Sequence, residues 1–391
     1  MVRLLKIIAN TLGIEISRHI PPGKDDVMVS LTPKGARRGN VLLSYVIDPF
    51  LRGKTDPISN DHTHHWESYQ IAQTFLRQGF AVDVVSYRNF SFVPQKSYTL
   101  FVGARTNFER ITSLLNTDCV KVAHLDTAHW LFNNAMAYQR LLALQQRRGI
   151  ALHNVKMVES NWAIEQADVA TILGNQFTID TYAYAKKPIH RIPISAPSAY
   201  PWDEQKDFHR CRNNYLWFGS SGFVHKGLDL VLEAFAQMPD YHLTVCGPFD
   251  QEAGFVKAFH KELYESPNIH AVGWVDVASP RFLELARNCI GLVYPTCSEG
   301  GGGSAITCMH AGMVPVLSYE ASVDIGDSGI LLSDNTINEI KAAVAGLSSK
   351  PVTELERLAR AAWTTARDNH TRDIFASEYE KFVLQVLLKK T

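Results

Sequence analysis

The segment 289–318, CIGLVYPTCSEGGGGSAITCMHAGMVPVLS, narrows the choice of fold more than any other part of the chain. Its apolar run Cys289 to Tyr294 stops at Pro295 and reads as a buried strand. Glu299 and the glycines Gly300, Gly301, Gly302 and Gly303 then form a loop with almost no side chain. Ser304 to Ala311 fits a short helix closed by Gly312, and Met313 to Leu317 is a second apolar strand. A strand, glycine loop, helix and strand in about thirty residues is the crossover unit of a parallel sheet. Glycines ahead of a helix let a ligand reach the backbone and turn free N–H groups toward an anion. A carboxylate in the same loop repels that anion. Its presence suits a neutral, hydroxyl-rich group beside the phosphate, hence a nucleotide-sugar rather than a nucleotide alone.

The same alternation runs along the whole chain. Val41 to Ile47, Ala81 to Ser86, Tyr98 to Val102, Val120 to Ala123, Val169 to Leu173 and Ile189 to Pro193 read as strands. Helices are expected over Trp66 to Gln78 and Asn134 to Arg148, with a polar loop from Pro49 to His65. Around Ser195 to Lys206 the composition changes to a Pro-containing polar linker. The pattern then restarts with strands at Tyr215 to Phe218, Leu243 to Cys246 and Ile269 to Val272. Leu228, Val231, Leu232 and Phe235 carry the i, i+3, i+4, i+7 stripe of a helix. At 391 residues the chain exceeds one ordinary core. The expected organisation is two α/β domains, 1–200 and 201–375, each a doubly wound Rossmann-like unit, facing a central cleft. A last helix over 376–391 is expected to cross back to the first domain. Ligands of such sheets bind in the cleft.

Charge limits the partners. Lys and Arg number 39 and so do Asp and Glu, so the strong basic excess of a nucleic-acid-binding protein is missing. Six scattered cysteines without C-x-x-C spacing read as reduced, buried thiols of a cytoplasmic protein. Residues 1–40 differ, with seven Lys and Arg against three acidic residues. That segment suits a weak peripheral contact with the inner face of a membrane, or a helix packed on the first domain.

Two further motifs bear on chemistry. In YLWFGSSGFVHKGLDLVLEAF a strand ends at Gly219, and Lys226 with Gly227 precedes a helix, a placement that suits a diphosphate. No D-x-D pair occurs that would hold a divalent ion on a diphosphate. Lys226 and helix N-termini would stabilise the leaving group instead, so no metal and no other cofactor are expected. The cluster Asp61, His62, Thr63, His64 and His65 lacks the i, i+4 pair of zinc helices and reads as a polar loop lining the cleft.

Gly219, Lys226-Gly227, Pro295-Thr296-Cys297-Ser298-Glu299-Gly300 and Gly312-Met313-Val314-Pro315-Val316 together resemble the donor half of GT-B-fold glycosyltransferases. The similarity is to the large retaining clan of glycogen synthases and bacterial polysaccharide transferases, the group 1 type. It covers 210–390 well and the first half in element order only. The resemblance implies a metal-independent retaining transferase moving a sugar from a nucleotide-sugar to a glycan or lipid-linked hydroxyl, in bacterial cell-surface polysaccharide synthesis. It implies that Lys226 contacts the donor diphosphate, the amides of Gly301 to Ser304 the phosphates, and Glu299 the donor sugar. His129 is the implied histidine reaching that sugar. His64, His65, His124, Asp126 and Trp130 are acceptor-side candidates. Two positions depart from the clan. Ser220 stands where it has an arginine, and Thr307 where it has a glutamate gripping the ribose. A degenerate protein that binds without turnover, or a nucleotide-sugar epimerase, are the alternative readings.

Overall fold

The computed structural model describes residues 23–53, 56–60, 62–153 and 156–388. Most of the basic N-terminal segment and Asp61 lie outside the described residues. Two parallel sheets face each other. The first comprises β1 (Met28–Leu31), β2 (Gly39–Tyr45), β3 (Phe80–Ser86), β4 (Leu100–Gly103), β5 (Val120–Leu125), β6 (Val169–Ile172) and β7 (Ile189–Arg191), in the order β1-β3-β2-β4-β5-β6-β7. The second comprises β8 (Asn214–Phe218), β9 (His242–Cys246), β10 (Ile269–Ala271), β11 (Gly291–Tyr294), β12 (Val314–Ser318) and β13 (Ile330–Leu332), in the order β10-β9-β8-β11-β12-β13. All pairings are parallel except β1 with β3. The central strands are buried along their whole length because helices cover both faces.

The strand order decides where a ligand can sit. In each sheet the chain runs outward from one strand, returns, and continues on the other side. The reversal falls between β2 and β4 in the first sheet and between β8 and β11 in the second. Crossover helices leave on opposite faces there, which opens a crevice at the carboxyl ends of those strands. The loops after β2, β4, β8 and β11 therefore line the space between the domains.

Sequence patterning missed two edge strands. β1 alternates exposed and half-buried residues, and Leu331 of the three-residue β13 is half exposed, so neither carries a buried apolar run. The first long helix spans Thr63–Arg77, starting three residues before the expected Trp66. Its cap is His62, whose ring accepts from the His64 N–H at 3.3 Å. Histidine is not among the preferred capping residues, so the start is not visible in the sequence. His64 and His65 thus lie in the first helical turn rather than in a loop.

Four connections hold the domains in register. The linker is anchored through buried Tyr200, whose hydroxyl donates to the Val277 carbonyl at 2.7 Å. The helix Arg372–Leu388 packs on the Thr63–Arg77 helix, with Phe375 against Trp66 and Tyr379 against Phe75. At the glycine loop the domains meet backbone to backbone. A Cβ on Gly300 would stand 2.3 Å from the Asp126 carbonyl oxygen and 2.5 Å from Thr127 Cα. This glycine admits the backbone of the other domain. Gly303, with nothing nearer than 3.7 Å, leaves the open space expected of a ligand-facing position.

Glu67 makes the fourth connection. It is fully buried, and one carboxyl oxygen accepts from both the N–H and the hydroxyl of Ser195 at 3.0 Å. Burial pushes its carboxyl up to about 7. The folded protein then holds a proton that the unfolded chain releases above its ordinary carboxyl range. Stability is therefore lost as pH rises from about 4.5 to 7, by roughly 2–3 kcal/mol. Glu67→Gln should remove this loss, so its melting temperature relative to wild type should be higher at pH 8 than at pH 5. An equal difference at both pH values would show that Glu67 does not titrate there. Gly300→Ala should destabilise by about 1–3 kcal/mol because backbone atoms cannot move aside, whereas Gly303→Ala should stay within about 0.5 kcal/mol. Equal melting temperatures for the two variants would contradict the close approach.

Candidate active site

A cavity of about 660 Å³ lies between the domains, and the loops at both strand-order reversals line it. The second domain contributes Gly219, Ser220, Lys226, Tyr294, Glu299 to Ser304 and Thr307. The first contributes His64, Arg105, Asp126, Asn133 and Lys156.

The centre of the second-domain wall is a buried ion pair. Lys226 Nζ stands 2.8 Å from Glu299 Oε1 and 2.9 Å from the Tyr294 hydroxyl. The Tyr294 hydroxyl donates to the same Oε1 at 2.8 Å. Burial alone would strip the proton from Lys226, but the Glu299 carboxylate outweighs it and holds the ammonium above the ordinary lysine range. Burial also opposes the charge on Glu299. Lys156 and Lys226 outweigh it and hold the carboxyl well below the ordinary range. Both groups are therefore ionised at neutral pH.

Local sequence explains the geometry. Lys226 precedes Gly227, the cap of the Leu228–Phe235 helix, and its stem lies across Gly219 at the end of β8. A Cβ on Gly219 would come within 3.0 Å of Lys226 Cδ, so that glycine leaves room for the lysine. Tyr294 is the last residue of β11, which places its ring beside the loop that carries Glu299. His225 braces that loop. Its ring contacts the Ser298 carbonyl at 2.6 Å, and its backbone carbonyl accepts from the Cys297 N–H at 2.9 Å. Burial lowers this imidazole to about 3, so it is neutral.

Thr307 lies on the Gly303–His310 helix at the cavity wall, and its hydroxyl donates back to the Gly303 carbonyl at 2.8 Å. Only its lone pairs remain for a ligand. Ser220 is exposed in the cavity.

On the first-domain wall, Arg105 grips both oxygens of Asp126 at 3.0 and 2.9 Å. Arg105 has φ of +61°, a conformation that non-glycine residues rarely adopt, and so turns its side chain onto Asp126. His64 Nδ1 lies 3.5 Å from Asp126 Oδ2, and burial keeps this imidazole well below its ordinary value.

The remaining candidates stand outside the cavity lining. His129 caps the Trp130–Arg148 helix, its Nδ1 accepting from the Leu131 N–H at 3.4 Å. Its Nε2 lies 2.9 Å from the Tyr184 hydroxyl, which donates to Glu165 at 2.6 Å. Both nitrogens are occupied, so capping explains this residue without a substrate. His124 is buried, with Nδ1 2.8 Å from the Thr171 hydroxyl. His65 and Trp130 are half-buried and do not line the cavity.

Sequence reasoning passed over Tyr294, His225, Arg105 and Lys156. His225 adjoins Lys226 and Tyr294 ends the strand before the loop, so position in the motif was the available signal. Arg105 and Lys156 carry none, since Arg105 opens a short 3-10 helix and Lys156 lies in a loop, neither with a recurring pattern.

The sequence profile described as glycosyl transferases group 1 matches residues 212–350. No curated protein matches the chain by sequence. Sucrose-phosphate synthase from Thermosynechococcus elongatus is similar in structure, with a TM-score of 0.62 at 12% identity, over 89% of this chain and 99% of that one. Anabaena HepE in complex with UDP and glucose gives 0.56 at 12% identity, over 90% and 100%. TarM gives 0.52 at 12% identity, over 74% of this chain and 54% of its own, so this chain spans about half the length of TarM. Identities this low speak to the fold. Residues 212–350 thus resemble the glycosyl transferases group 1 family, and the chain as a whole has the GT-B fold.

Proposed function

We propose that the protein transfers a sugar from a nucleotide-sugar to a hydroxyl of a glycan or lipid-linked glycan, with retention at the anomeric carbon and without a metal ion. The observation that carries this reading is the Lys226–Tyr294–Glu299 group at the strand-order reversal of the second sheet. A permanently charged ammonium beside the open start of the Gly303–His310 helix suits a diphosphate on which charge develops as the sugar leaves. Glu299, ionised and bonded on one oxygen, keeps the other for sugar hydroxyls. The acceptor enters from the first domain, where Asp126 and His64 line the facing wall. The cleft walls shield the donor from water, which suppresses hydrolysis.

Transfer into a bacterial cell-surface polysaccharide, in the cytoplasm, is the setting proposed for this chemistry. HepE binds UDP and glucose, so UDP-glucose is the first donor to test. Incubation with UDP-glucose, UDP-N-acetylglucosamine and GDP-mannose, with and without glycan acceptors, should release nucleoside diphosphate and give an α-linked product. Recovery of all three donors unchanged would favour binding without turnover.

Lys226→Ala should lower kcat by about 100-fold or more, since it removes the cation facing the leaving group. It also strands the Glu299 carboxylate, so its melting temperature should fall. Adding Glu299→Gln should recover stability but not activity. A fully active Lys226→Ala protein would remove the residue from the site. Transfer should persist in excess EDTA, and a complete loss restored by magnesium or manganese would refute the metal-free mechanism.

A further inference from the structure

We propose that Lys156, from the first domain, is the second cation of the donor-diphosphate site, supplying across the cleft the charge that Ser220 lacks in the second domain. This assignment rests on the donor-site reading above.

The Lys156 segment is held in place. The Asn134 side-chain amide donates to the Val158 carbonyl at 2.8 Å and accepts from the Val158 N–H at 2.9 Å. Asn133 adds a bond from its amide to the Lys156 carbonyl at 3.4 Å. Both asparagines sit near the start of the Trp130–Arg148 helix, so a rigid element sets where the lysine emerges.

The side chain then crosses to the other domain. A Cβ on Gly222 would stand 2.8 Å from Lys156 Cδ and 3.1 Å from its Cβ. The stem therefore lies flat on the loop that follows β8, the loop that carries Ser220. Gly222 has φ of +91°, a second reason for glycine there. The cavity that Lys156 lines also holds Ser220, Lys226 and Glu299.

Charge balance supports an anionic ligand. Two ammonium groups share one carboxylate, Glu299, and Lys226 already holds it through a hydrogen bond. A second cation in a half-buried site, placed beside a like charge, is unfavourable without an anion to offset it. Two adjacent ammonium groups arriving from opposite walls suit the multiple negative charges of two linked phosphates. Burial and the neighbouring Lys226 push Lys156 down to about 8, against the pull of Glu299. The other groups that face it do not change charge between pH 7 and 9. Glu299 stays ionised, and Lys226 and Arg105 stay protonated. The His62 and His225 imidazoles, both lowered by desolvation, are neutral, and burial pushes the Cys297 thiol up to about 12.

Calorimetric titration of the full chain with UDP, GDP and ADP tests the assignment. Lys156→Met should weaken the nucleotide that wild type binds by about 10- to 100-fold, the loss of one charge-assisted contact. Lys156→Arg should stay within about threefold of wild type. Adding Ser220→Arg to Lys156→Met should recover most of the loss, which a packing defect would not allow. Wild-type affinity should fall as pH rises from 7 to 9, while Lys156→Arg should be nearly flat. Unchanged binding by Lys156→Met, or a loss that neither arginine recovers, overturns the role of Lys156 alone. Wild-type protein that binds none of the three nucleotides overturns the donor-site reading, and this assignment with it.

Discussion

The Lys226–Glu299 pair is the interaction on which the site depends. Neither charge is tolerable alone in that wall, because desolvation of an isolated ion costs several kcal/mol. Each makes the other possible, and Tyr294 completes the arrangement by bonding to both. The fold then has a definite task. It must bring the ends of β8 and β11, some seventy residues apart in sequence, to adjacent positions, which is what the order β10-β9-β8-β11-β12-β13 does. A different order would leave both charges unpaired.

The glycine loop serves two purposes that look alike in sequence. Gly303 leaves space open at the start of a helix, as a phosphate site requires. Gly300 closes space, letting the Asp126–Thr127 backbone of the other domain approach within contact distance. The cavity is therefore a joint product of the domains. Asp126 in its wall is held on both oxygens by Arg105, whose backbone adopts the left-handed conformation.

How far the sequence discloses this follows from how local each feature is. Helix stripes, buried strands and the Lys226 and Glu299 motifs are written in short stretches, and the fold and the second-domain wall are legible from them. The edge strands β1 and β13 bury too little to leave an apolar run. His129 shows the converse limit. A histidine before an aromatic residue fits a sugar-site pattern, yet its ring serves a helix cap and a tyrosine. Lys156 and Arg105 depend on contacts across tertiary structure. No spacing rule reports that a lysine will lie on a glycine of another domain.

The Trp130–Arg148 helix has a consequence for motion. Arg140 donates to the Pro295 carbonyl at 2.7 Å, Arg147 binds Asp229 and Glu233, and Arg148 binds Glu262 at 2.7 Å. This rim of the cleft is ionic, whereas the opposite side, where Phe375 and Tyr379 cross back to Trp66 and Phe75, is apolar. When both partners of an ion pair return to water together, their hydration offsets the lost contact, whereas exposed apolar surface stays uncompensated. Parting the ionic contacts alone would therefore expose little of the apolar surface that makes proteins aggregate.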